Sequence, residues 1–526
     1  MRRGLIGNLS TVAGFTLVSR LLGFARDVIF ATQFGAGFGM DAFIVAFKIP
    51  NFGRRMFAEG AFSQAFIPVL AEWRAARDEA AVRELVARTE GTLAAALAFI
   101  CIIGVLAAPV FIWVFAPGFH VHPAKFNLAT GMLRLTFPYL FFLSLVALAA
   151  GVLNAHGRFG APAFAPVLLN TAFIVAALVI APTLAHPVYA LAGAVLVAGA
   201  LQLALQLPFL ARIGMLVRPR LGLAHEGVKR IFRLMLPVMF GGSVTQLNLL
   251  VDTLIASFLA AGSVSWLYYS DRLMEFPLGV FAVALGTIIL PGLAAHHARG
   301  EQARYSAMLD RALRLTLLAM PAAALGLIVL AGPLVATLFG YGRFDDHDIL
   351  MARASLTAYG IGLTGFALVK VLLPAWYARQ QTRTPVKIGI VSVGVNLGLN
   401  AAVVVPWALL KGPAPHAGIA LSTSLAALVN AGLLWRGLHR RGFHTPSSGW
   451  GLFLTRVAVA AIVMAIAVWF AAGPLADWLH WSVWSRIAHL AVIVVGGLLV
   501  YLVVLALAGL RLRHLRLARD EIDTAK

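Results

Sequence analysis

Fourteen apolar runs, each long enough to cross a bilayer as a helix, follow one another along the 526 residues. They lie near 10–34, 40–66, 91–116, 128–153, 163–182, 188–210, 234–260, 264–292, 312–340, 350–376, 386–408, 416–436, 451–472 and 486–509. In hydrocarbon every backbone N–H and C=O must be satisfied inside its own segment, so runs of this length fold as helices. Only 12% of the residues are charged and mean hydropathy is +0.88, where a soluble domain carries about a quarter charged. The expected class is an all-α polytopic membrane protein of about 14 transmembrane helices.

Net charge is +21, and its distribution decides what that means. Assigning successive loops to alternate sides puts twenty-eight of the 42 basic residues on one side and four (Lys125, Arg343, Lys411, Arg486) on the other. Such asymmetry is the positive-inside pattern and predicts that both termini are cytoplasmic. The basic excess is therefore topology, with attraction for anionic membrane lipids, and does not mark a nucleic-acid partner. The opening Met1-Arg2-Arg3 reads as the flank of a retained first helix. Cys101 is the only cysteine, so no disulfide can form within the chain and a thiolate metal site is not expected.

Prolines recur at a fixed offset. Pro68 and Pro291 close spans, Pro162 and Pro385 open them, and the step from first to second member is the same in both pairs. This predicts two pseudo-symmetric six-helix lobes around a central cavity, residues 1–222 and 223–445, with two additional helices in 446–526. Repeated lobes are a common transporter plan. The loops are short, which leaves no room for a catalytic domain.

Ten basic residues fall inside the spans. Each costs roughly 2.5–3.5 kcal/mol at a lipid-facing helix centre. Arg134, Arg353 and Arg456 lie near helix ends, where a long side chain can snorkel to the interface. The first run is different, because Arg20, Arg26 and Asp27 stand far from any boundary, with Gly23 opening space on their face. The second carries Asp41, Lys48 and Arg55 at spacing seven, with Arg54 and Glu59 beside them. The eighth carries Asp271, Arg272 and Glu275. Guanidinium forks give bidentate hydrogen bonds to phosphate oxygens. Arg26, Arg54 and Arg272 are thus expected to clamp a diphosphate, with Asp27, Asp41, Asp271 and Glu275 neutralising the arginines when the site is empty. Asp252 is the one acid of run seven and a weak candidate for a cation. His296-His297 reads as a solvated loop pair, and no catalytic motif is present.

The stretches Ser19-Arg20-Leu21-Leu22-Gly23-Phe24-Ala25-Arg26-Asp27, Arg54-Arg55-Met56-Phe57-Ala58-Glu59-Gly60 and Asp271-Arg272-Leu273-Met274-Glu275-Phe276-Pro277 resemble the MurJ (MviN) lipid II flippase family. The likeness extends over essentially the whole chain and weakens after about residue 440. It implies the fold of the multidrug/oligosaccharidyl-lipid/polysaccharide exporters, with a lipid-tail groove formed by the last two helices. It implies as substrate lipid II, an undecaprenyl-diphosphate bearing a disaccharide-pentapeptide, moved across the inner membrane by alternating access. The family's essential cavity charges match Arg20, Arg26, Asp41, Arg54, Arg272 and Glu275, with Asp27, Arg55, Glu59 and Asp271 alongside. Some members hold sodium between runs seven and eleven. Asp252 is the candidate acid here, and run eleven offers no carboxylate. Coupling to sodium, to a proton or to the membrane potential is left open; no organic cofactor is expected. The expected state is a monomer, with the cell-wall synthesis machinery as its protein partner. Three alternatives stand beside this one: a cation-coupled exporter of drugs or other polyprenyl-linked oligosaccharides, a membrane-embedded glycosyltransferase or polymerase, and a scaffold.

Overall fold

The computed structural model describes residues 2–54 and 62–510, with side chains described outside 2–10 and 237–249. Among the described residues there is no strand. The chain forms two compact units, Met1–Ser265 and Trp266–Lys526. The first contains α1 (Arg2–Phe34), α2 (Phe38–Arg54), α3 (Ser63–Ala76), α4 (Glu79–Leu106), α5 (Ala108–Phe115), α6 (Pro123–Thr136), α7 (Tyr139–Ala155), α8 (Gly160–Val175), α9 (Tyr189–Arg212) and α10 (Glu226–Ser257). The unit boundary falls in the first turn of α11 (Ser263–Pro277). The second unit continues with α12 (Val283–Ala298), α13 (Gln302–Val329), α14 (Ala331–Leu338), α15 (Asp346–Ala378), α16 (Arg383–Leu399), α17 (Val405–Leu409), α18 (Pro415–Arg440), α19 (Trp450–Ala472), α20 (Leu475–His480) and α21 (Val483–Leu507).

Eleven helical stretches among the described residues are long and apolar enough to cross a membrane. They coincide with eleven of the fourteen expected runs. The remaining three, 10–34, 40–66 and 234–260, correspond to α1, α2 with α3, and α10. At 33 and 32 residues, α1 and α10 still exceed the roughly 20 residues that a 30 Å hydrocarbon core requires.

The backbone repeats at the offset seen in the prolines. The chain breaks helix at Ala107 and again at Leu330, and α5 and α14 follow as eight-residue helices. The same step carries the start of α6 onto the start of α15, the end of α7 onto the end of α15, and the start of α8 onto the start of α16. Both α8 and α16 run into a π turn, Ala176–Ile180 and Asn400–Val404. Such bulges concentrate at sites under constraint. One element differs. Pro138, which has no N–H to donate, stands between α6 and α7, whereas α15 is continuous through Gly360-Ile361.

Small residues set the helix spacing within each unit, as they do where lipid gives no hydrophobic drive for association. In the second unit a Cβ on Gly362 would lie 2.5 Å from the Ser424 Cα, and the Ser424 hydroxyl donates to the Ala358 carbonyl at 2.8 Å. Here α15 and α18 touch backbone to backbone. In the first unit the glycine is on the other helix: Gly199 of α9 receives the Tyr139 ring of α7, which a Cβ would meet at 2.8 Å. Ile289, Leu293, Tyr305, Leu309, Trp376 and Leu434 lie in a buried cluster that joins α12, α13, α15 and α18.

Candidate functional site

The charges of α1 are held by a polar contact from α8. Arg26 donates through Nη2 and Nε to Asp27 Oδ1 at 2.7 and 3.0 Å, and through Nη1 to Asn170 Oδ1 at 3.0 Å. Its guanidinium lies 5.6 Å from the Phe30 ring and 5.5 Å from that of Phe173, so a paired cation is packed between aromatic faces. Asn170 in turn donates to the Ser19 carbonyl at 2.9 Å. Gly23 faces this same amide, and a Cβ there would sit 3.5 Å from Asn170 Nδ2. The space expected for a bulky group beside Gly23 is thus filled by Asn170. Arg26 is only 12% exposed, whereas Arg20 is exposed.

Asp41 departs from its expected role. It does not neutralise an arginine. Lys125 Nζ donates to Oδ2 at 2.7 Å, Gly262 N to Oδ2 at 2.8 Å, and Ser265 N and Oγ to Oδ1 at 2.9 and 2.7 Å. Both oxygens are taken, and the carboxylate closes the N-terminus of α11, where unpaired N–H groups and the helix dipole favour an anion. Lys125 is not the loop residue that the charge alternation implies; it is buried in α6, 4.2 Å from the Phe119 ring. Further along α2, Lys48 Nζ donates to Thr253 Oγ1 at 3.1 Å and Arg54 Nε to Asn51 Oδ1 at 2.6 Å. Asp252 is partly buried beside Thr253. Arg55 and Glu59 lie outside the described residues.

The second unit places its charges differently. Arg272 Nη1 donates to Glu275 Oε2 at 2.8 Å, yet the two side chains remain 36% and 49% exposed. The guanidinium lies 5.0 Å from the Tyr268 ring, and Asp271 is half-buried next to it. All of this belongs to one 36-residue apolar stretch, Ser263–Ala298. An exposed ion pair there can exchange partners, since such pairs are worth at most about 1 kcal/mol.

The family model for "Lipid II flippase MurJ" matches residues 30–489. The chain belongs to the MurJ lipid II flippase family. A "Lipid II flippase MurJ" of Burkholderia cenocepacia is 48% identical over 461 residues, covering 87% of this chain and 88% of that protein. A "Probable lipid II flippase MurJ" of Vibrio cholerae is 43% identical over 519 residues, 97% of each. Among solved structures, "Lipid II flippase MurJ, inward closed conformation" shares the fold with a TM-score of 0.76 at 22% identity, covering 94% of this chain and 97% of that one. An inward-facing multidrug resistance MATE transporter of the MOP superfamily gives 0.65 at 16% identity, covering 81% and 95%. The MurJ family is one of transporters, which answers the enzyme alternative.

Against that family background, three residues that sequence reasoning missed stand out. Asn170 is a neutral amide in an apolar run, with no signal beyond its polarity. Lys125 had one: it is an isolated lysine on the side otherwise stripped of basic residues. Arg486, assigned to a loop by the same alternation, is buried and donates to the carbonyls of Ala336, Gly340 and Leu479 at 2.9, 3.1 and 2.8 Å, capping the ends of α14 and α20. His296 is corrected as well, being buried with Nδ1 2.7 Å from Glu301 Oε2. That hydrogen bond holds the Glu301 carboxyl below its usual range.

Proposed function

We infer that the chain is a lipid II flippase, a multi-pass protein of the bacterial inner membrane that carries the undecaprenyl-diphosphate-linked peptidoglycan precursor from the cytoplasmic to the periplasmic leaflet. The headgroup is bound by arginines while the polyprenyl tail stays in lipid, and the protein works by alternating access as a monomer with both termini cytoplasmic. One observation carries the site assignment: Arg272 sits inside an apolar stretch of spanning length and stays more than a third exposed. Arg272 and Arg20 make first contact with the diphosphate. Arg26 and Arg54 follow, once the Asn170 and Asn51 amide oxygens give way to phosphate oxygens, an ionised and so stronger acceptor for a guanidinium. Asp271 and Glu275 compensate Arg272 when no substrate is present.

The membrane potential supplies the direction. An anion moving outward gains about 2.3 kcal/mol per charge per 100 mV, inside negative. The test is headgroup accessibility of purified lipid II in vesicles holding the wild-type protein, with and without an imposed potential and with and without sodium. Protein-dependent translocation that rises with the potential supports the reading. Translocation equal to protein-free vesicles refutes it, and a strict requirement for sodium or for a proton gradient replaces potential coupling with cation coupling.

A further inference from the structure

A groove of about 390 Å³ opens in the second unit between α15, α17 and α18. Leu350, Arg353, Thr357 and Ile361 place one face of α15 in it, with Ala354 and Ala358; Trp407 of α17 and Ala417 and Leu421 of α18 complete the walls. Its floor is made by alanines, which is what makes it a groove. Its rims are exposed, Leu350 at 45% and Ile361 at 43%.

The one charge is Arg353, exposed and without an ion pair or hydrogen bond among the described residues. The arginine is not loose. Its Cδ lies close enough to Gly332 that a Cβ there would stand 3.3 Å away, so α14 directs the side chain along the groove's end. From Leu350 to Ile361 the axis of α15 advances about 16 Å, close to half of a roughly 30 Å hydrocarbon core. One leaflet's acyl chain has that length. Trp407 marks the same end as Arg353: it packs beside Gly418 of α18, whose near neighbour His416 meets the Met351 carbonyl at 3.1 Å. Tryptophan is the kind of residue that anchors at the headgroup level.

We propose that this groove, lined by Arg353, Ala354, Ile361, Trp407 and Leu421, is a binding site for an anionic membrane phospholipid. One acyl chain lies along α15 and the phosphate meets the Arg353 guanidinium. The apolar lining takes the chain, the unpaired guanidinium takes the negative headgroup, and the length fixes one leaflet. None of the residues assigned to the diphosphate lines the groove, and its test reads binding rather than flux.

Full-length protein in detergent is titrated with phosphatidylglycerol and, separately, phosphatidylethanolamine, and bound lipid is counted by native mass spectrometry. The wild type is expected to retain phosphatidylglycerol preferentially. Arg353→Gln is expected to weaken that binding about five- to ten-fold, Arg353→Lys to keep most of it, and Ala354→Phe, which fills the groove, to weaken it without removing charge. Melting temperatures are measured alongside; should Ala354→Phe fail to fold, the Gln and Lys variants decide alone. Equal retention of phosphatidylglycerol by wild type and Arg353→Gln overturns the proposal, as does equal affinity for the two lipids. Displacement of the bound phospholipid by stoichiometric lipid II also overturns it, assigning the groove to the substrate's tail.

Discussion

The two halves of the repeat share a backbone plan and use it for opposite ends. Lys125 and Asp348 occupy equivalent places in the repeat, near the start of α6 and of α15. In the first unit Lys125 meets the Asp41 carboxylate at 2.7 Å and both are buried. In the second, Asp348 is buried and accepts from the Trp266 indole at 2.8 Å, a neutral donor. The ends of α1 and α10 are related by the same step, from Phe34 to Ser257, but the positions matching Arg20, Arg26 and Asp27 are Ser243, Leu249 and Leu250. In the first unit Arg26–Asp27 and Lys125–Asp41 are buried pairs, while the Arg272–Glu275 pair of the second stays accessible.

The sharpest way to break this comparison is to unpair the first unit. Lys125→Met leaves Asp41 buried without its cation and is expected to cost about 3–5 kcal/mol, read as a large drop in melting temperature in detergent. Trp266→Phe, the matching change in the second unit, removes one hydrogen bond from a carboxylate and is expected to cost only about 1.5–3 kcal/mol. Equal losses in the two variants would mean that the charge sign at this position has no structural consequence. Restoring part of the stability in Asp41→Asn with Lys125→Met would show that the pair, and not the lysine alone, carries the effect.

Spacing comes next. Gly362→Val forces α15 and α18 apart at the Ser424 backbone, and overpacking of this kind costs typically about 1–3 kcal/mol. Gly199→Ala meets a ring that can tilt, so its loss in melting temperature should be smaller. The reverse order would place the tighter crossing in the first unit.

Much of this was legible in the residues, because the membrane converts apolar length directly into helices and the proline offset into a repeat. The misreadings have one cause: a charge's partner is not written next to it. Asp41 closes backbone N–H groups at Gly262 and Ser265, which no pattern of side chains reveals. Alternate loop assignment puts Lys125 and Arg486 in solvent, although one salt-bridges a carboxylate and the other caps two helices by donating to their terminal carbonyls. Arg272 is easier to read, because its cost in lipid marks it and its partner Glu275 lies three residues further on.

The smallest effect concerns the segment between α18 and α19. His444 is buried there, its Nε2 3.2 Å from Asp310 Oδ1. Burial pushes its pKa down, against the opposing pull of Asp310. A histidine whose folded pKa is depressed adds stability that is complete above the unfolded value near 6.5 and is lost as pH falls below it. Melting temperature should therefore decline modestly below about pH 6.5, and His444→Gln should flatten that decline. An unchanged slope in the variant would transfer the effect to another group.

The most direct measurement is lipid II translocation in reconstituted vesicles by Arg272→Ala, compared with the wild type at equal protein incorporation. An exposed pair contributes at most about 1 kcal/mol to stability, so the variant should keep its melting temperature and lose transport. Wild-type flux from a folded Arg272→Ala protein would contradict the assignment of this arginine to the diphosphate.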